Sequence, residues 1–142
     1  MEDALGMTLV LVVRIKGNVG IDPDIEKTLE SLELKKANSA ALFPYSPSLE
    51  GMLKKAQRYL TWGKPNKFSI YTLLKKAGFK ADDLMSYSER LEKGEESLPN
   101  PVHVVLHPPK KGFKRSLKRA YKSSGEYGDR EEAINELIRR MV

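Results

Sequence analysis

The chain has 142 residues, 40% of them apolar and 31% charged, and its 25 Lys+Arg against 19 Asp+Glu leave a formal charge of +6. That length suits one domain with a real hydrophobic core, and the absence of cysteine excludes disulfides and thiolate metal sites. No apolar run approaches the ~20 residues that span a bilayer, so a cytoplasmic protein is the simplest expectation.

The first element is a strand in "TLVLVVRIKG". Leu9, Leu11, Val13 and Ile15 alternate onto one wholly apolar face, with Val10, Val12, Arg14 and Lys16 on the other. It is not a signal peptide, because Glu2 and Asp3 precede the apolar run and Arg14 and Lys16 follow it directly. After a loop marked by Gly17 and Gly20, "DPDIEKTLESL" reads as a helix with Asp22 as cap and Pro23 in its first position. Its apolar face is Ile25, Leu29 and Leu32.

A second strand covers Ser39 to Phe43, and Ser46 and Pro47 open a second helix with the stripe Leu49, Met52, Leu53 and Ala56. "YLTWG" is a third strand. Strand–helix–strand–helix–strand predicts an α+β fold, with residues 7–64 as a ferredoxin-like core and both helices on one face in a two-layer sandwich.

Residues 65–142 read as an extension. Ser69 is placed to cap a short helix ending at Gly78, and Asp82 another ending at Gly94, which together form a helical insert. "PNPVHVVLHPP" is a strand bracketed by prolines, with Val102, Val104 and Leu106 on one face. A last helix follows a capping-box-like pair, Asp129 and Glu132, and buries Ile134, Leu137, Ile138 and Met141.

Catalytic signals are weak. His103 and His107 share a strand face, but no third ligand accompanies them, so no metal is expected. "RIKGNVGI" lacks the spacing of a phosphate-binding loop, and Asp22 and Asp24 just after it would repel an anion. No nucleophile, cofactor motif or small-substrate site is suggested, and the expectation is a non-enzyme.

The segment "LHPPKKGFKRSLKRAYK" is different. Its seven cations, Lys110, Lys111, Lys114, Arg115, Lys118, Arg119 and Lys122, have no acid among them, and 25 less these seven leaves 18 against 19 elsewhere. The charge is therefore local, which points to a binding surface. Three readings compete: a phosphate-binding surface, a solvated charged face, and a membrane-lying helix using Phe113, Leu117 and Tyr121. Solvated faces usually interleave acids, and Pro109 and Gly112 leave too short a helix for a membrane. Phosphate binding by Arg and Lys, with Phe113 for stacking, fits best. Seven contacts would give a log–log salt slope of roughly −5 to −6. With no base-reading motif, structured RNA recognised by shape is the expected ligand. Arg14 and Lys16 are candidates to extend the surface.

Two long segments also resemble one family. "VVRIKGNVGIDPDIEKTLESLELKKANSAALFPYSPSLEGMLKKAQRYLTWG" is similar to the core of the L-thirty family of large-subunit ribosomal proteins, and "LHPPKKGFKRSLKRAYKSSGEYGDREEAINELIRRM" to the C-terminal extension of its archaeal form and of eukaryotic L-seven. The resemblance implies a cytoplasmic ribosomal constituent that binds 23S rRNA near the base of the central protuberance, with 5S rRNA close by and other ribosomal proteins as neighbours. It implies that Lys110, Lys111, Lys114, Arg115, Lys118 and Arg119 form the RNA-facing loop. A free-standing RNA-binding or RNA-chaperone protein is the alternative. Ser124 departs from the family by standing where a "GG" turn has Gly. The opening "MEDALG" has no counterpart in the family and is expected to be disordered.

Overall fold

The alternating run at the N-terminus forms the centre of a six-stranded sheet. The structure is a computed structural model that describes residues 9–80, 83–95, 98, 100–110 and 112–142; MEDALG, Asp82 and Lys111 lie outside them. Its strands are β1 (Leu9–Arg14), β2 (Ser39–Pro44), β3 (Leu60–Gly63), β4 (Val102–Val105), β5 (Ser116–Ala120) and β6 (Gly125–Asp129). The helices are α1 (Pro23–Ser31), α2 (Pro47–Lys55), α3 (Lys67–Lys76), α4 (Leu84–Lys93) and α5 (Ile134–Met141). The fold is mixed α+β, and the sheet order is β4-β2-β1-β3-β6-β5.

β1 is antiparallel to both β2 and β3, and β2 is antiparallel to β4. β3 runs parallel to β6, with Thr61 opposite Gly128. β5 lies irregularly along β6 at the outer edge, with Ser116 opposite Gly125 and Ala120 opposite Tyr127. The pairings make one sheet from the two halves of the sequence.

Register explains the two cores. Val12 sits between Ala41 and Trp62 on one face, where it packs with Leu29, Leu32 and Leu34 and with Leu49 and Leu53 of α2. Leu9, Leu11, Val13 and Ile15 point the other way, against Ile70, Leu73, Leu91, Leu137 and Ile138 from α3, α4 and α5. The sheet with α1 and α2 on one face makes two layers. The fold as a whole has three, because the later helices cover the face that α1 and α2 leave bare. An apolar face on a central strand must be covered by something, and here α3, α4 and α5 cover it.

Local signals place most boundaries. Asp22 caps α1 by accepting the Asp24 N–H, and Ser46 caps α2 by accepting that of Leu49, each followed by Pro. α4 ends on Gly94 in the left-handed region at φ 80°. Three caps differ from expectation. α3 starts a turn earlier than expected: Asn66 accepts the Ser69 N–H, so Ser69 is inside the helix rather than its cap. Asp83 caps α4 by accepting the Ser86 N–H. Asp129 and Glu132 form no capping box, because a 3-10 turn over Glu131–Ala133 intervenes and Asp129 accepts from Glu131 instead.

Candidate nucleic-acid interface

The basic segment is an edge strand on a buried ionic foundation. Glu126 of β6 forms an ion pair with Arg130, just past the strand's end, at 2.7 Å, each side chain only 5% exposed. The other carboxylate oxygen of Glu126 accepts the backbone N–H of Arg115 at 2.8 Å, and Arg130 Nε donates to Thr61 Oγ1 at 2.7 Å. A buried pair is tolerable only when its remaining donors and acceptors are satisfied, and here they are. The carboxylate thus ties the start of β5 to the sheet. Above it, the Tyr121 ring lies between two guanidinium groups, Arg115 at 5.2 Å and Arg130 at 4.9 Å from its centroid.

Inward anchoring leaves the charges outside. Phe113, expected as a stacking residue, and Leu117 are half-buried and pack on the core beneath α3–α5. Lys110, Lys114, Arg115, Lys118, Arg119 and Lys122 are exposed. α5 fixes the entry to the segment: Lys110 N–H donates to the Arg140 carbonyl at 3.0 Å, and the Arg140 guanidinium donates to the carbonyls of Lys110 and Gly112. Backbone closeness sets the exit. A Cβ on Gly125 would lie 1.9 Å from the Arg119 carbonyl oxygen, and Ser124 before it is left-handed at φ 66°, where a glycine would be unstrained.

Arg14 departs from expectation. It is 1% exposed, because the face it shares with Val10 and Val12 is covered. Its Nε donates to the Lys16 carbonyl at 2.7 Å, and its terminal nitrogens donate to the Leu34 carbonyl at 2.8 Å and Asn18 Oδ1 at 2.6 Å. Burial lowers its pKa below the ordinary arginine value, against the opposing pull of Tyr59 and Glu26. It therefore clamps the loop after β1 from below. Lys16 reaches the surface, its amine 5.8 Å from the Tyr59 ring centroid. Its pKa is lowered by burial first, then by Arg58 and Lys118. The fold thus brings Lys16 to the basic strand and adds Arg58, which sequence reasoning missed. Arg58 lies in an unremarkable "QRYL", and only the packing of β5 and β6 on the 3-10 turn Gln57–Tyr59 gives it meaning.

The histidines have separate surroundings. His103 Nε2 faces the Leu32 carbonyl at 3.0 Å and its ring meets Phe43 edge-on, while His107 is exposed. Among the described residues no group of three or more His, Asp or Glu could hold a metal, and no helix is long and apolar enough to cross a membrane.

A rigid α+β body with cations ranged along one sheet edge suits a protein that grips a polyanion. Comparison with known proteins makes the class specific. The family model described as ribosomal protein L30p/L7e matches residues 10–60. The large ribosomal subunit protein uL30 of Ignicoccus hospitalis is 39% identical, covering 94% of this chain and 98% of its own. The proteins of the same name from Metallosphaera sedula (35%; 96% and 100% covered) and Sulfolobus acidocaldarius (37%; 94% and 98%) are similar over the same extent. The chain belongs to the ribosomal protein L30p/L7e family, a class of structural proteins and not of enzymes.

Proposed function

We propose that this chain is a structural constituent of the large ribosomal subunit, in the cytoplasm, that binds and steadies folded rRNA alongside other ribosomal proteins. One observation carries the reading. β5 and its flanks turn their apolar side chains inward and their cations outward, and the acid beneath them, Glu126, is buried in its own ion pair. A surface of that kind rewards a phosphate backbone, whose neutralisation releases counterions. Residues 110–122 form the principal contact, with Phe113 as anchor and Lys16 alongside. The 23S rRNA is the proposed ligand, with 5S rRNA as a neighbour.

The scaffold reading belongs with this proposal. The connection from β2 through α2 to β3 passes over β1, which supports a ferredoxin-like description of residues 7–64. Residues 65–142 are then the extension that carries the contact.

Sedimentation tests the assignment. The tagged full-length chain in cell extract is expected to co-migrate with large subunits through high-salt washes, and crosslinked RNA to map to 23S. Recovery only in slowly sedimenting fractions would refute the ribosomal role and leave a free-standing RNA-binding protein.

A further inference from the structure

We infer that the loop after β1, the 3-10 turn before β3 and the face of β5 together form a second, built subsite that takes one phosphodiester with its nucleoside. Lys16, Arg58 and Lys118 hold the phosphate, and Tyr59 and Val19 form the apolar wall. The inference rests on the RNA-binding reading and deepens it.

Four observations support the subsite. A surface cavity of about 260 Å³ is lined by Lys16, Gly17, Val19 and Tyr59. Val19 is 99% exposed, so the wall beside the Tyr59 ring has no cover within the chain. β5 packs on the 3-10 turn that carries Arg58, and the Ile15 N–H bond to the Tyr59 carbonyl sets Lys16 beside that turn, so three cation-bearing segments adjoin here. None of Lys16, Arg58 and Lys118 has an acidic partner among the described residues. Like charges brought together destabilise the free protein, and such a local conflict is characteristic of functional sites. Finally, the loop is held in shape: buried Arg14 binds the Lys16 carbonyl and the Asn18 side chain, and the Ile15 N–H donates to the Tyr59 carbonyl at 2.9 Å.

The acids nearest in sequence do not spoil the site. Asp22 is used as the cap of α1, and Asp24 pairs with Lys55 of α2 at 3.1 Å. The backbone N–H groups of Gly17, Asn18 and Val19 have no acceptor among the described residues, so they are available to phosphate oxygens. Two of the three cations come from outside the basic tail, so the subsite joins the two halves of the chain on one strand of RNA.

The test uses the full-length chain and a large-subunit rRNA transcript. In K16Q/R58Q, the log–log salt slope of binding is expected to become shallower by roughly 0.7 to 0.9, the value for one lost phosphate contact. The equal charge change K75Q/K76Q, on exposed lysines at the end of α3, leaves it nearly unchanged. By NMR, a short oligouridylate shifts the Gly17 and Val19 amides and the Tyr59 ring of the wild type but not of K16Q/R58Q. Free K16Q/R58Q melts no lower than the parent, because a repulsion has been relieved. If wild type binds the transcript and K16Q/R58Q has the parental slope, or the control loses as much, the subsite is overturned while the RNA-binding reading stands. A response to inorganic phosphate as large as that to the oligomer overturns the nucleoside part. Failure of the wild type to bind the transcript overturns the parent reading itself.

Discussion

Removing four outward cations while sparing the inward anchors separates binding from folding. The variant K114A/K118A/R119A/K122A keeps Phe113, Leu117 and the Glu126–Arg130 pair, and it keeps Arg115, whose guanidinium also covers Tyr121. All four replaced side chains are exposed, so each change alters stability by no more than about 0.5 kcal/mol. The seven cations of residues 110–122 give the wild type a salt slope of roughly −5 to −6, at 0.7–0.9 per phosphate contact. A rise from about 50 to 200 mM salt then costs it about three orders of magnitude in affinity. With three cations left, Lys110, Lys111 and Arg115, the slope is about −2 to −2.7, and the same rise costs roughly 20- to 40-fold. Filter binding of an rRNA transcript across that range, with thermal melts of the free protein, reads both quantities. A variant that folds normally and keeps the parental slope would refute the assignment of this edge to RNA.

Replacing Glu126 with Leu leaves Arg130 buried without its partner and the Arg115 N–H without its acceptor, so a loss of about 3–5 kcal/mol is expected in denaturant unfolding. Gly125→Ala places a methyl 1.9 Å from the Arg119 carbonyl oxygen; a loss toward about 3 kcal/mol, the upper end for overpacking, should accompany weaker RNA binding, since β5 must shift. Arg14→Met removes three hydrogen bonds from one buried guanidinium, and with charged bonds worth about 1.5–3 kcal/mol each but not additive, a melt should show a loss of at least about 3 kcal/mol.

What could be read from the chain was whatever its local chemistry decides. The Asp22–Pro23 and Ser46–Pro47 starts, the Gly94 stop and the apolar stripe of α5 depend on neighbours within a turn or two, and all are in place. Where two local signals compete, spacing does not choose: Asn66 and Ser69 are both capping residues, and the earlier one wins. The backbone of the basic segment was hidden for a related reason. Phe113, Leu117 and Tyr121 recur every fourth residue, as on a helix, yet Leu117 lies in a strand whose pairing partner is a later segment. The burial of Arg14 depends on the Leu34 carbonyl, 20 residues away, and the importance of Arg58 on a strand some 60 positions downstream. No periodicity reports such pairings.

The cations of β5 also protect the sheet edge, where charged side chains, lysine above all, discourage pairing with another chain. Edge protection alone does not account for them. Glutamate would serve the same end, and a mixed-sign edge would also be more comfortable for the protein in isolation. Instead every charge on residues 110–122 has one sign, and the fold sets the segments that carry Lys16, Arg58 and Lys118 beside one another. The one carboxylate beneath the strand is used up in its foundation. An arrangement that crowds like charges along a rigid edge, and buries the nearest counter-charge to hold that edge in place, lowers its free energy only when negative charge arrives from outside.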